Sequence, residues 1–182
     1  MRDINSVILS GEIFWAKLDD RQTYSTLRIG LKLSGGGSCF ATINNPLVKG
    51  HDMTKAGNKV TINGYLDTWN KEDGTSELQI KCSGANADFY PKEKALSDYN
   101  HLVVAGKISS YEGDSVIVEM AGERNPKTDK PTLRKAKIKI GDTFEFEIAG
   151  SKIFLMGKLV STEIEGKSKL GAEADYSKVS IL

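Results

Sequence analysis

Cysteine is scarce in this chain. Only Cys39 and Cys82 occur among 182 residues, which excludes a small secreted scaffold held by many disulfides. A single bond between the two is compatible with their apolar strand segments, and nothing in the sequence requires it. Long hydrophobic runs are absent as well: no stretch approaches the ~20 apolar residues of a membrane helix. The first residues, Met1-Arg2-Asp3-Ile4, open no apolar signal segment. The expectation is a soluble protein of the cytoplasm, or of a host-cell cytoplasm if a phage encodes it. Charge of one sign is also lacking. The net charge is +1, with 12 Lys/Arg against 11 Asp/Glu in residues 1–95 and 13 against 13 in residues 96–182. That balance excludes a uniformly basic DNA coat, so any polyanion site has to be a local patch. Finally, His51 has no Ser, Cys or carboxylate constellation and no metal-ligand spacing around it. With no nucleophile–base pair, phosphate loop or carboxylate pair elsewhere, the expectation is a chain that is not an enzyme and carries no cofactor and no metal.

What is present is alternation interrupted by glycine. In the stretch from Asn58 to Thr75, Val60, Ile62, Gly64 and Leu66 alternate with Thr61, Asn63, Tyr65 and Asp67, the period of a strand with one buried face. A glycine in the buried row marks a bend by which one strand serves two sides of a small barrel. The Asp73-Gly74 step then signals a hairpin, with Glu77–Cys82 as the return strand. Apolar strands bent at Gly11, Gly106 and Gly157 repeat the device. Gly11 and Gly64 are 53 residues apart and Gly106 and Gly157 are 51 apart, which divides the chain into two similar units.

Further strands are expected at Ile4–Leu18, Ser25–Leu33, Cys39–Ile43, Leu102–Ile108, Ser115–Met120, Phe144–Ile148, Lys152–Thr162 and Tyr176–Leu182. A short helix at Leu47–Ala56 is weakly supported, and Ser83–Asn100 around Pro91 is expected to be a connector with a helical turn at Lys92–Leu96. About five strands per unit with at most one short helix fits an all-β chain of two tandem OB-folds, each a five-stranded Greek-key barrel. The boundaries are 1–90 for the first barrel, 91–100 for the connector and 101–182 for the second.

Flat rings set among cations are what a sequence-tolerant binder of unpaired nucleic acid requires, because every base has a π-face and every nucleotide a phosphate. By parity Tyr65 and Trp69 share the outer face of their strand with Thr61 and Asn63. Phe40 adds a third platform, and Arg28, Lys32, Lys71 and Lys81 can ring them; the bland alternative for Arg28 and Lys32 is a solvated face. Phe14 and Trp15 are adjacent, so one is expected inward and one outward, and Trp15 is kept as a candidate with that choice open. The one basic concentration, Glu123–Lys139, holds Arg124, Lys127, Lys130, Arg134, Lys135 and Lys137. It can serve phosphate, or be a solvated hairpin whose lysines guard an edge.

The segments Val7–Ile13 (VILSGEI), Ser25–Leu33 (STLRIGLKL) and Gly57–Thr75 (GNKVTINGYLDTWNKEDGT) resemble, in order and spacing, strand motifs of the bacterial and phage single-stranded-DNA-binding proteins. The resemblance covers most of residues 4–85 and recurs more faintly over 102–182. It implies OB-folds that bind single-stranded DNA in replication, recombination or repair. It also implies that Phe40 stands where the family has a base-stacking aromatic, that Trp69 and Lys71 lie at the aromatic and basic end of the fourth strand, and that Arg28 and Lys32 lie on the outer face of the second. Two units in one chain imply a homo-oligomer, a dimer presenting four OB-folds. Lys178–Leu182 is expected to be strand, without the Gly/Pro-rich linker and acidic tip through which family members recruit replication and recombination proteins. A protein-interaction module and an RNA binder are the alternative readings of the same barrels.

Overall fold

The computed structural model describes residues 3–20, 25–33, 36–47, 52–70, 76–124, 128–141, 150–164 and 167–181. Its strands are β1 (Ile4–Asp20), β2 (Ser25–Lys32), β3 (Ser38–Asn44), β4 (Lys59–Asn70), β5 (Ser76–Ser83), β6 (Ala87–Tyr90), β7 (Asn100–Glu112), β8 (Ser115–Arg124), β9 (Pro131–Lys139), β10 (Lys152–Ile164) and β11 (Lys167–Ile181). Alternation makes them strands and decides which face is inside. In β2, Leu27, Ile29 and Leu31 are buried while Arg28 and Lys32 stand exposed.

Two rings close. In the first, β1 pairs with β2, β2 with β3, β3 with β5 in parallel, β5 with β4, and β4 returns to β1. In the second, β7, β8, β9, β11 and β10 join in the same order, again with one parallel contact, between β9 and β11. Each is an OB-fold barrel. Leu9, Ile13, Ile29, Leu31, Ile43, Ile62, Leu66 and Ile80 fill the first, and Leu102, Ile108, Met120, Ile138, Ile153 and Leu155 the second.

The barrels are joined backbone to backbone. β1 and β7 pair antiparallel from Ile4↔Ala105 to Leu9↔Asn100, so the two rings belong to one sheet. This demands that β1 divide its partners. Its first half lies between β7 and β4, and from Glu12 onward it pairs with β2 instead. The same division is made by β7 between β1 and β8. Bent strands bring neighbouring backbone close. A Cβ on Gly64 would stand 2.4 Å from the Lys81 carbonyl oxygen, and one on Gly157 would stand 2.1 Å from that of Glu173. Only glycine fits at either place.

Where the β1–β4 ladder ends beyond Val7↔Gly64, a side chain replaces the backbone. The Asn5 amide donates to the Leu66 carbonyl at 2.8 Å and accepts from the Leu66 N–H at 2.9 Å. In the second ring Asn100 does the same for Leu159, at 2.9 and 2.8 Å. Each asparagine lies six residues before its bending glycine, Gly11 or Gly106, a spacing visible in the sequence that carries no meaning until the ladders are known.

Several expectations are corrected. The expected connector holds a 3₁₀ turn at Gly84–Asn86 and then β6, which lies along Lys59–Ile62 of β4. Lys92–Leu96 has only a turn, closed by Lys94 N–H on the Pro91 carbonyl. Turns rather than helix occupy 52–57, while 48–51 lie outside the described residues, as do the Phe144–Ile148 strand and the Asp73-Gly74 turn. β11 starts at Lys167 rather than Tyr176; its inward residues there, Ala172 and Ala174, are too small to announce a strand. Among the described residues no helix is long and apolar enough to cross a membrane, and no group of His, Cys, Asp and Glu could hold a metal.

Cys39 and Cys82 are free and buried, and burial pushes both thiols up to about 12. Both therefore stay protonated at pH 8, and a thiol-specific reagent should label neither in native buffer and both in denaturant; rapid native labelling of two thiols would contradict this. For the asparagine clasps, Asn5→Ala and Asn100→Ala each leave a backbone N–H and a C=O without a protein partner. Each should lower the stability by about 1–3 kcal/mol in urea titrations with an unchanged slope, and an unaltered midpoint in both would refute the role.

Candidate nucleic-acid interface

Strand register assembles the outer face of the first barrel. Trp15 lies opposite Gly30, and Gly30 opposite Phe40, giving one row across β1, β2 and β3. The next row runs Lys17, Arg28, Thr42, Lys81 and Tyr65, across all five strands of the ring. The two rows are two residues apart along each strand, ~6.7 Å, and share one face, so a row of rings runs directly beside a row bearing cations.

The aromatic row depends on an irregularity. Alternation puts one of Phe14 and Trp15 inside, but the register of β1 on β2 shifts between Ile13 and Trp15, and both rings emerge on the outside, 38% and 40% exposed. The extra residue of a β-bulge does this, and the sequence gives no local sign of it. Phe14 lies over Gly30, where a Cβ would stand 2.5 Å from the Phe14 Cζ. Both rings then meet Phe40 edge-on, each with centroids 5.9 Å apart, at interplanar angles of 66° and 83°. Such contacts hold the rings in place at ~0.5–1.5 kcal/mol each. Phe40 still keeps 53% of its surface open, the greatest exposure among the described aromatic side chains of this cluster.

Beside the cluster is a groove of about 540 Å³, lined by Trp15, Arg28, Phe40, Thr42, Gln79 and Lys81 from the first barrel and by Lys169 and Leu170 from β11 of the second. Arg28 is exposed and makes no ion pair with the described residues. Lys32 is held by Glu12 at 2.8 Å, and that hydrogen bond and charge keep the Glu12 carboxyl below the usual carboxylate range. Lys81 is held by Asp67 at 2.6 Å.

Tyr65 faces outward from its barrel, as parity requires, yet its ring is half-buried because the second barrel covers it. The Arg134 guanidinium of β9 lies 3.9 Å from the ring centroid, a cation–π contact. Arg134 also approaches Asp67 at 3.7 Å, and the Thr68 hydroxyl donates to the Lys135 carbonyl.

The basic stretch is less basic in space than along the chain. Lys135 pairs with Glu119 at 2.6 Å, Lys137 with Glu112 at 2.7 Å and Lys139 with Asp114 at 3.2 Å. Glu112 at the end of β7, Asp114 in the turn after it and Glu119 on β8 neutralise it once β9 lies beside β8. Lys130 is exposed ahead of β9, and neither it nor Lys135 nor Lys137 lines the groove. Lys71 and Lys127 lie outside the described residues, as do the side chains of Trp69 and Arg124. Sequence reading passed over Phe14, Lys17, Gln79 and Lys169. Lys17 was accessible as the residue two beyond Trp15 on one strand, whereas Lys169 is brought in only by the packing of one barrel on the other.

No protein-family model and no curated protein matches the chain. Among solved structures it is similar to the wild-type single-stranded DNA binding protein from Thermus aquaticus, with a TM-score of 0.66 and 15% identity over 100% of this chain and 94% of that one. A deletion mutant of that protein aligns at 0.62 and 15%, over 100% and 95%. At that identity the likeness shows the fold: the OB-fold architecture is shared over the whole length of this chain.

Proposed function

We propose that this chain binds single-stranded DNA without strong sequence preference, protecting it during replication, recombination or repair. The observation that carries the reading is the outer face of the first barrel, where Trp15 and Phe40 border a groove that also holds Arg28 and Lys81. Bases stack on the rings, with Phe40 the most open platform, while Arg28 and Lys17 meet the phosphates and Lys81 joins them where Asp67 gives it up. No nucleophile or metal is required, because the act is binding. Trp69, Lys71, Arg124 and Lys127 remain candidates, and Lys32, Lys135 and Lys137 contribute less while they hold their carboxylates. The shared architecture with the single-stranded DNA binding protein from Thermus aquaticus supports the same direction.

Residues 1–90 and 101–182 act as the two domains, joined by 91–100. A homodimer presenting four OB-folds is the assembly we propose. Its support is the exposed apolar set Ile4, Ile8 and Met156 on β1 and β10. Sedimentation at micromolar concentration should return twice the monomer mass, and Ile8→Glu should shift it toward the monomer. A protein-interaction role is favoured over DNA only by the ion-paired lysines of β9, and RNA binding by nothing specific.

In titrations with oligo(dT), Trp fluorescence should be quenched, and Phe40→Ala should weaken binding by ~1–3 kcal/mol, roughly 5- to 150-fold, in a chain that still folds and melts at most several degrees lower because two ring contacts are lost. Arg28→Gln should make the dependence of log K on log salt shallower by about 0.7, one phosphate contact fewer on a single strand. Quenching that fails to appear, or a Phe40→Ala chain that binds as wild type, would refute the assignment, and an RNA oligomer that competes better than DNA would move it to RNA.

A further inference from the structure

The cation row does not end at Lys81. Directly across the β4–β5 ladder from Lys81 is Tyr65, and across from Gln79 is Asp67, so two residues that line the groove have their strand partners at the seam between the barrels. There one carboxylate serves two cations from two barrels: Asp67 Oδ2 meets Lys81 Nζ at 2.6 Å, and Asp67 Oδ1 faces Arg134 Nε at 3.7 Å. The side chains of Asp67 and Arg134 are only 18% and 14% exposed, so water and salt screen this pair less than the open ladder of β9. The same guanidinium covers the Tyr65 ring.

A carboxylate between a lysine and an arginine presents the oxygens that a phosphodiester would present there. We propose that Asp67 is an internal stand-in for a phosphate of the bound strand, and that Lys81 and Arg134 form a phosphate subsite shared by the two barrels and closed by Asp67 in the free protein. This rests on the single-strand reading above. A strand seated on Trp15 and Phe40 that extends along the row brings a phosphate to Lys81 in competition with Asp67. If Asp67 yields, Arg134 is released from its partner, the Tyr65 ring is uncovered for a further base, and the seam opens on that side. The free chain keeps the cluster at net +1, and removal of the carboxylate raises it to +2. Asp67 therefore lowers affinity for polyanions while holding the barrels together. A single strand long enough to reach the seam has to bind with an affinity set partly by this exchange.

The test is Asp67→Asn, compared with wild type by fluorescence anisotropy on labelled oligo(dT) of about 30 nucleotides at two salt concentrations. The variant should bind about tenfold more tightly at low salt, with a salt dependence steeper by about 0.7 to 1.4, one to two more phosphates met. Wild type that binds while Asp67→Asn binds no more tightly overturns the subsite and leaves the function standing. A variant that binds where wild type does not supports the subsite most strongly, and failure of both chains removes the function and the subsite together. Should Asp67→Asn not fold, the wild-type chain decides: the Arg134 Nε–H resonance should shift on saturation with oligo(dT), and a resonance that stays in place overturns the proposal.

Discussion

The whole structure depends on β1 and β7 each belonging to two curved surfaces at once. Each spends its first half between the other and a strand of its own barrel, β4 or β10, and its second half against the next strand of that barrel. A strand can do so only if it turns sharply. The close approach of neighbouring carbonyls at the bends leaves no room for a side chain. Where the β1–β4 and β7–β10 ladders end, the backbone groups of Leu66 and Leu159 are satisfied by the Asn5 and Asn100 amides. In a β-barrel, where an unpaired amide in the wall costs about as much as a lost hydrogen bond, that substitution is what allows closure without a gap.

The candidate interface follows from this frame. Because the first ring is closed and its interior filled, all its chemistry has to be placed on the outside, and strand register alone determines which side chains become neighbours. The bulge after Ile13 adds a ring to the outer face that strict alternation would have buried. Gly30 supplies the seat that Phe14 occupies. The second barrel then closes one flank, with Leu170 and Lys169 against the groove and Arg134 against Tyr65. The candidate face is thus a product of two barrels, although nearly all its rings come from one.

Much of the fold was legible because its signals are local. Leu27, Ile29 and Leu31 alternate without exception, the glycines at 11, 64, 106 and 157 all stand where a neighbouring carbonyl leaves no room for a Cβ, and both barrels could be counted from them. Phe40, Arg28 and Lys81 were legible for the same reason, being outward residues of regular strands. What escaped were properties of pairing. Whether Phe14 and Trp15 both face out depends on one extra residue relative to a neighbouring strand. The lysines of β9 look like a patch until Glu112, Asp114 and Glu119 are brought beside them from β7, β8 and the turn between the two. The burial of Tyr65 under Arg134 depends on how two barrels pack, for which a sequence of alternating residues has no signature.

The β1–β7 ladder joins residues such as Ile4 and Ala105 that lie far apart along the chain. During synthesis from the N-terminus, the first ring has all five of its strands before β7 exists, and one edge of β1 meanwhile offers unpaired N–H and C=O groups to any neighbouring chain. Nascent chains on one message therefore face a period of hazard in which a strand of another copy can take the place reserved for β7, and an exchanged assembly would differ from the proper one only in which polypeptide supplies that strand.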